Sequence, residues 1–386
     1  MTSNGTNVSG AGTAVRVLYL VDSLRVGGKE RQAVELLKGL RGMKDVQAMV
    51  VTMGEEQFYV PDVKALGVPL IFLIRRVRWD PLIFLRLFRI LWGFRPHIVH
   101  TNNDIATFYA LPLTKLLGAK LVNGGIRGIM PTTGFRGKAR KLLLHLSDAR
   151  VANSKAGLES VGLDMAGKGN HLIYNGFDVD RFRKRAGRTD ALGGVALDGR
   201  KVVAMVAEFS DFKDYPTYIR SAQILLQKRK DVLFIAVGGG KNLENCRQLA
   251  APAGNGILFL GERRDVEAIV SGIDVGVLCT YTEGISNSVM EYMAAGRPTV
   301  VTDGGGSREL VVEGRTGFLV PPSDPEAMAI KIEALLDRSD LAEEMGLAAQ
   351  RHLLRQFSLE QLADNTLRMY RSILGWAGER GTTGIF

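Results

Sequence analysis

Short apolar runs alternate with longer amphipathic stretches along this chain, and the alternation occurs twice. Runs at 15–21, 48–52, 70–73, 98–100, 120–122 and 150–152 are apolar and bounded by turn-forming or charged residues. They predict buried strands. Between them lie stretches with apolar residues three and four apart, clearest at 28–40 and 82–92. A second set of runs follows at 202–206, 232–237, 257–260, 275–278 and 299–302, with a final strand near 317–322. Helices are then predicted at 325–336, 341–357 and 359–374. Strands alternating with helices predict a parallel sheet covered on both faces, so two sets predict two doubly wound α/β units. Tyr174-Asn175-Gly176 reads as a turn closing the first unit, and the charged, glycine-containing stretch 181–201 reads as a linker. The predicted division is a tail at 1–13, a first domain at 14–180, the linker at 181–201, a second domain at 202–358 and a terminal helix at 359–376. No internal sequence repeat relates the two halves.

The stretch from Thr282 to Pro298 carries the most chemistry. Ser286, Asn287 and Ser288 are all good helix caps, Val289 to Ala295 is a helix-forming run, and Gly296 with Pro298 ends it. Two carboxylates, Glu283 and Glu291, lie eight residues apart around this helix start. A helix start offers unpaired amides and the positive end of the dipole, which suits a diphosphate. Acids beside it can accept hydrogen bonds from sugar hydroxyls. The competing reading is local: Ser288-Val289-Met290-Glu291 has the pattern of a capping box, in which Glu291 only satisfies an amide.

Charge adds a second theme. The net charge of +10 is uneven: residues 1–190 hold 29 Lys and Arg against 15 Asp and Glu, and residues 191–386 hold 21 against 25. The first half therefore expects an anionic partner. Arg75, Arg76 and Arg78 precede the Leu- and aromatic-rich stretch 82–92, in which Arg86 and Arg89 share a helix face. Arg136, Lys138, Arg140 and Lys141 precede a run of leucines. Basic helices with such apolar faces suit an anionic membrane surface, or are core helices with their arginines in solvent. No nucleic-acid recognition module accompanies the charge, so nucleic acid is not an expected partner. Two cysteines, Cys246 and Cys279, give no disulfide framework and point to a reducing compartment. The polar start has no signal-peptide core, and no apolar run reaches 18 residues. The expected location is cytoplasmic, with peripheral contact at the inner face of the plasma membrane.

Taken together, Glu283 to Glu291 with its internal Gly-x-Ser-Asn-Ser and the Ala-x-Gly-x-Pro exit resembles the E-x7-E segment of retaining glycosyltransferases, in particular glycosyltransferase family 4. The resemblance covers about residues 15–375 and is strongest over 200–325. It implies the GT-B architecture: two Rossmann-like domains facing a cleft, with a C-terminal helix crossing back to the first domain. It also implies transfer of a sugar from a nucleotide-sugar donor to a glycan or lipid-linked acceptor, with retention, in cell-surface polysaccharide or glycolipid assembly. A nucleotide-sugar epimerase and a non-catalytic sugar-nucleotide or membrane-binding scaffold are the alternatives. No metal and no cofactor are expected.

The resemblance assigns roles residue by residue. Gly27 and Gly28, in Gly-Gly-Lys-Glu-Arg-Gln, would face the donor phosphates; an ordinary βα turn is the alternative. Lys213 would neutralise the leaving diphosphate, with the amides of Gly284, Ile285, Ser286 and Asn287 and the Arg263 loop completing the donor site. Glu291 would hold the ribose, and Glu283 would orient the donor sugar. His100 ends a strand as similar His-Thr segments do near the cleft, or is a buried structural histidine. Arg127 stands where many members carry a histidine, and Glu208 stands where an arginine of the diphosphate clamp is usual. Asn153-Ser154 is either a cleft loop or a helix cap. Gly238-Gly239-Gly240 reads as a turn, and Asp178-Val179-Asp180 is a weak metal-diphosphate string.

Overall fold

The computed structural model describes residues 14–55, 57–77, 79–129, 132–182, 197 and 199–376. The expected tail and most of the expected linker lie outside the described residues. The first domain is a seven-stranded parallel sheet of β1 (Val15–Val21), β2 (Val46–Thr52), β3 (Leu70–Phe72), β4 (Ile98–Thr101), β5 (Lys120–Ile126), β6 (Ala149–Ala152) and β7 (Asn170–Leu172), ordered β3-β2-β1-β4-β5-β6-β7. The second is a six-stranded parallel sheet of β8 (Lys201–Val206), β9 (Val232–Val237), β10 (Ile257–Gly261), β11 (Val275–Leu278), β12 (Thr299–Thr302) and β13 (Phe318–Val320), ordered β10-β9-β8-β11-β12-β13. Asn170–Leu172 escaped the sequence reading because it is a three-residue edge strand, half-buried and with one apolar side chain.

The period of two along β1 divides the first domain's core. Val15, Val17, Tyr19 and Val21 point to one face, under the helices Gly28–Arg41 and Leu359–Leu374. Leu18 and Leu20 point to the other, under Leu82–Phe94 and Asp104–Leu117. The terminal helix thus returns to the first domain and buries Leu362, Ala363, Met369 and Tyr370 there. Gly39 permits this contact, because a Cβ at that position would lie 2.8 Å from Ala363 Cβ. At the crossing, the amide of Phe177 donates to the carbonyl of Phe357 at 2.8 Å, so both connections run side by side. Both sheets reverse strand order, between β1 and β4 and between β8 and β11, and residues following β1, β8 and β11 line a shared cleft.

Candidate functional site

The cleft has a volume of 620 Å³ and is walled by both domains. On the first-domain side, the loop after β1 brings Gly27 and Gly28 to the opening of the Gly28–Arg41 helix. Gly27 is fully extended, so its need for glycine is steric. A Cβ there would lie 2.2 Å from Oε2 of Glu30, whose side chain folds under the loop. A Cβ on Gly28 would lie 2.9 Å from Asn287 Nδ2. Gly238 differs: its φ of 146° and a carbonyl 2.0 Å from any Cβ exclude other residues, and it also lines the cleft.

On the opposite side the helix Asn287–Ala294 begins with Ser286 as cap, its Oγ accepting from Val289 N at 3.5 Å. Glu291 therefore lies two positions beyond the place a capping box would give it, and that reading is overturned. Its side chain is only 3% exposed and forms an ion pair across the cleft with Arg31. Arg181 approaches the same oxygen at 3.3 Å while also binding Glu267 through Nε at 2.7 Å. Burial opposes the charge on Arg31, but Glu291, Tyr59 and Glu267 together more than compensate and hold its pKa above the ordinary arginine value. Glu35, 3.8 Å from Arg181, has its pKa raised by burial, with Lys38 opposing.

Asn287 ties the helix start to the glycine loop. Its Nδ2 donates to Gly28 O at 3.1 Å, and its Oδ1 accepts from Gln32 Nε2 at 2.8 Å. Asn175, in the turn closing the first domain, donates to Ile285 O at 2.9 Å. Gly284 fits because a Cβ would meet Asn153 Oδ1 at 2.4 Å and Arg127 O at 2.8 Å.

Glu283 pairs with Lys213, both largely covered and both on the cleft wall. The backbone fixes each of them. Lys213 bridges to Thr280, and Glu283 O accepts from Gly306 N at 3.1 Å. The Asp303–Gly306 loop thus supports the acid from behind. Further out, Glu309 accepts from the amides of Lys155 and Ala156 at 2.9 and 3.2 Å, another contact between domains.

Other expected residues fall in different places. Arg127 lines the cleft, held by Gly124 O at 2.8 Å and Asn175 Oδ1 at 3.4 Å. Arg263 lines it while paired with Asp265 at 2.6 Å. Glu208 is exposed on the cleft and has no cation partner among the described residues. His100 is not among the lining residues. It is buried, with Nδ1 2.6 Å from the Tyr370 hydroxyl of the terminal helix, and burial pushes its pKa down to about 3. Ser154 caps the following helix through Gly157 N at 3.0 Å, while Asn153 faces the cleft. Asp178 is paired with Lys38 at 3.0 Å.

Sequence reasoning missed Arg31, Gln32, Asn175, Arg181 and Arg264 as parts of this site. The Arg264 guanidinium stacks 4.9 Å over the Phe58 ring, a second-domain cation on a first-domain aromatic. Arg31 and Gln32 lie one turn along the helix from Gly28, so the glycine motif was the available signal. Arg264 adjoins Arg263 in the loop already expected at the donor site, but its contact with Phe58 depends on how the domains face each other. The assembled site can receive an anion at the helix start and hold a polar group between Lys213 and Glu283.

Two family models match: "Glycosyltransferase Family 4" over residues 26–181 and "Glycosyl transferases group 1" over residues 200–338. The lipopolysaccharide core biosynthesis mannosyltransferase LpcC of Rhizobium leguminosarum bv. viciae is 28% identical over 53% of this chain and 60% of its own length. Alpha-D-kanosaminyltransferase of Streptomyces kanamyceticus is 26% identical over 73% of this chain and 78% of its own. The match to the Bacillus subtilis protein EpsD spans 44% of that protein, so the first two curated relatives are each covered over less than two thirds of their length. In fold, the chain is similar to the crystal structure of Anabaena HepE in complex with UDP and glucose, with a TM-score of 0.81, 19% identity and coverage of 93% of this chain and 100% of that one. From these matches and the two facing Rossmann-like domains, the chain belongs to the glycosyltransferases of family 4, with the GT-B fold.

Proposed function

We propose that this protein moves a sugar from a uridine-diphosphate donor to a hydroxyl of a glycan or lipid-linked acceptor, with retention at the anomeric carbon. The observation that carries the reading is the pairing of Lys213 with Glu283 beside the Ser286-capped helix start, facing Gly27 and Gly28 across the cleft. The ligand named in the HepE structures, UDP with glucose or UDP-glucose, supports the choice of donor. The sugar-transfer names of the relatives support a role in surface polysaccharide or glycolipid assembly.

In this reading the bond between the anomeric carbon and the diphosphate oxygen breaks while the acceptor oxygen bonds to the same carbon. Lys213 and the amides at the helix start stabilise the charge gathering on the diphosphate. Glu283 orients the donor sugar and offsets the positive charge on its ring. The acceptor proton passes to the departing phosphate oxygen. Glu291 receives the ribose hydroxyls, with Arg31 held beside it. The cross-domain contacts keep water from the donor.

A thermal-shift series with UDP, GDP and ADP tests the donor. A ligand present at 100 times its dissociation constant adds about 2.7 kcal/mol of stability. UDP should give the largest shift, and no response to any of the three would end the proposal. Incubation with UDP-sugars and a hydroxyl acceptor, followed by NMR of the new linkage, tests retention. One observation favours a second reading, nucleotide binding without turnover: Glu208 places an unpaired carboxylate in the cleft.

A further inference from the structure

Four side-chain amides meet on the cleft wall, and their hydrogen bonds fix which way each one points. The two ends of an amide differ in donating or accepting, so a backbone partner at one end decides the orientation of the other. Gln32 Oε1 accepts from Gly176 N at 3.0 Å, so its Nε2 is the end that donates to Gly176 O at 3.0 Å and to Asn287 Oδ1 at 2.8 Å. Asn287 Nδ2 is then the end that donates to Gly28 O at 3.1 Å. Asn175 Nδ2 donates to Ile285 O at 2.9 Å, which leaves its Oδ1 to accept from Arg127 Nη1 at 3.4 Å and Asn153 Nδ2 at 3.3 Å. Both ends of Gln32, Asn175 and Asn287 are thus engaged. Asn153 Oδ1 is not: it is buried and has no hydrogen-bond partner among the described residues.

The chain of bonds also fixes Asn153 itself. Reversing its amide would set Oδ1 against Asn175 Oδ1, two acceptors with no hydrogen between them. Its backbone is held as well, since its amide donates to Ile126 O at 3.2 Å and Ser154 caps the next helix. Asn153 is 2% exposed and lines the cleft. A Cβ on Gly284 would lie 2.4 Å from Asn153 Oδ1, so the unpartnered oxygen sits against the residue that follows Glu283. Gly128 closes the same seam, a Cβ there coming 3.3 Å from Gly284 N. A buried acceptor without a donor is costly, and the nearby cations are committed elsewhere. Lys213 is engaged by Glu283, and Arg127 by Gly124 O and Asn175. The missing donor therefore belongs to a ligand. A phosphate would be repelled by this oxygen and by the neighbouring carboxylate, whereas a sugar hydroxyl can donate to either.

We infer that Asn153 reads a hydroxyl of the donor sugar, its Oδ1 accepting the hydroxyl proton while Glu283 orients the same ring from the second domain. The inference deepens the proposed function and rests on it for the presence of a donor sugar in this cleft. Asn153 is then a specificity-determining residue for the transferred sugar, contributed by the first domain. A sugar lacking that hydroxyl leaves the oxygen buried and unpaired, and is rejected for that reason. An acceptor hydroxyl is the other source of the same proton, and binding measured without acceptor separates the two.

Titration calorimetry of the full chain, with no acceptor present, tests it. UDP reads the nucleotide alone, and UDP-glucose, UDP-galactose and UDP-N-acetylglucosamine read the added sugar. For the tightest of the three, one singly deoxygenated analogue should bind the wild type about tenfold more weakly than its parent. Asn153→Ala should bind that analogue and the parent equally, the cycle isolating the one contact. The same variant should bind UDP like the wild type, with its unfolding midpoint as the folding control. Asn153→Ser replaces it if the alanine variant does not fold. A deoxy penalty that is the same in variant and wild type would overturn the inference. So would an equal loss of UDP and UDP-sugar binding, which would make Asn153 a tie between domains only, or a hydroxyl preference that appears only with acceptor present. A wild type that binds UDP but none of the sugars more tightly overturns it while leaving the nucleotide assignment standing. A wild type that binds no UDP ends the donor proposal and this inference with it.

Discussion

Arg31 of the first domain and Glu291 of the second form a largely buried ion pair across the cleft, and Arg181 from the domain connection joins it. The acid is therefore part of the latch between domains as well as a candidate ligand group. Glu291→Ala should lower unfolding stability by about 3 kcal/mol, because Arg31 is left buried and unpaired. It should also abolish the thermal shift with UDP. Arg31→Met should weaken the latch while leaving part of that shift. If Glu291→Ala still responds to UDP like the wild type, Glu291 is a latch only.

Lys213 is held against Glu283 by backbone contacts on both sides, so its position does not depend on bound ligand. Lys213→Ala should lower kcat by about two to three powers of ten while the overall fold persists. Initial rates with donor in excess, together with circular dichroism, measure the two effects. A kcat within a factor of about two of the wild type would remove Lys213 from the reaction, since an electrostatic contact to the leaving group is worth far more.

Glu208 faces the cleft with no cation beside it among the described residues, on the wall where a diphosphate would lie. Glu208→Arg should tighten donor binding by about tenfold, the effect of one added charge-assisted hydrogen bond. Titration calorimetry with UDP reads this directly. Weaker binding would show that the carboxylate itself contacts the ligand.

His100 predicts an acid limb in stability. Burial lowers its pKa from 6.5 to about 3, so the unfolded chain takes up a proton that the folded chain refuses. Stability from this group is complete above pH 6.5 and is lost as pH falls toward 3. The loss is up to about 5 kcal/mol. Denaturant unfolding across that range should show a shallower decline for His100→Gln than for the wild type. Activity at neutral pH should show no titration from His100, since it stays neutral there and lies off the cleft.

The sequence by itself determined the repeating strand and helix order, because burial on both faces leaves continuous apolar runs and amphipathic helices leave a period near 3.6. It also determined the helix at 287–294 and its glycine exit, since caps and left-handed positions are local chemistry. Glu283, Glu291, Lys213, Gly27 and Gly28 became candidates through resemblance to the short motifs of a family, since spacing alone left each of them a local reading. What tertiary structure decided is which of these groups meet. Ser286 as the cap removed the capping-box role of Glu291, and the facing of the two domains gave that acid Arg31, 260 residues away in sequence. The same long-range packing put His100 against Tyr370, 270 residues away, beneath the cleft rather than on it. Contacts of that range leave no local pattern, because nothing in the spacing of either segment records the side chain it will meet.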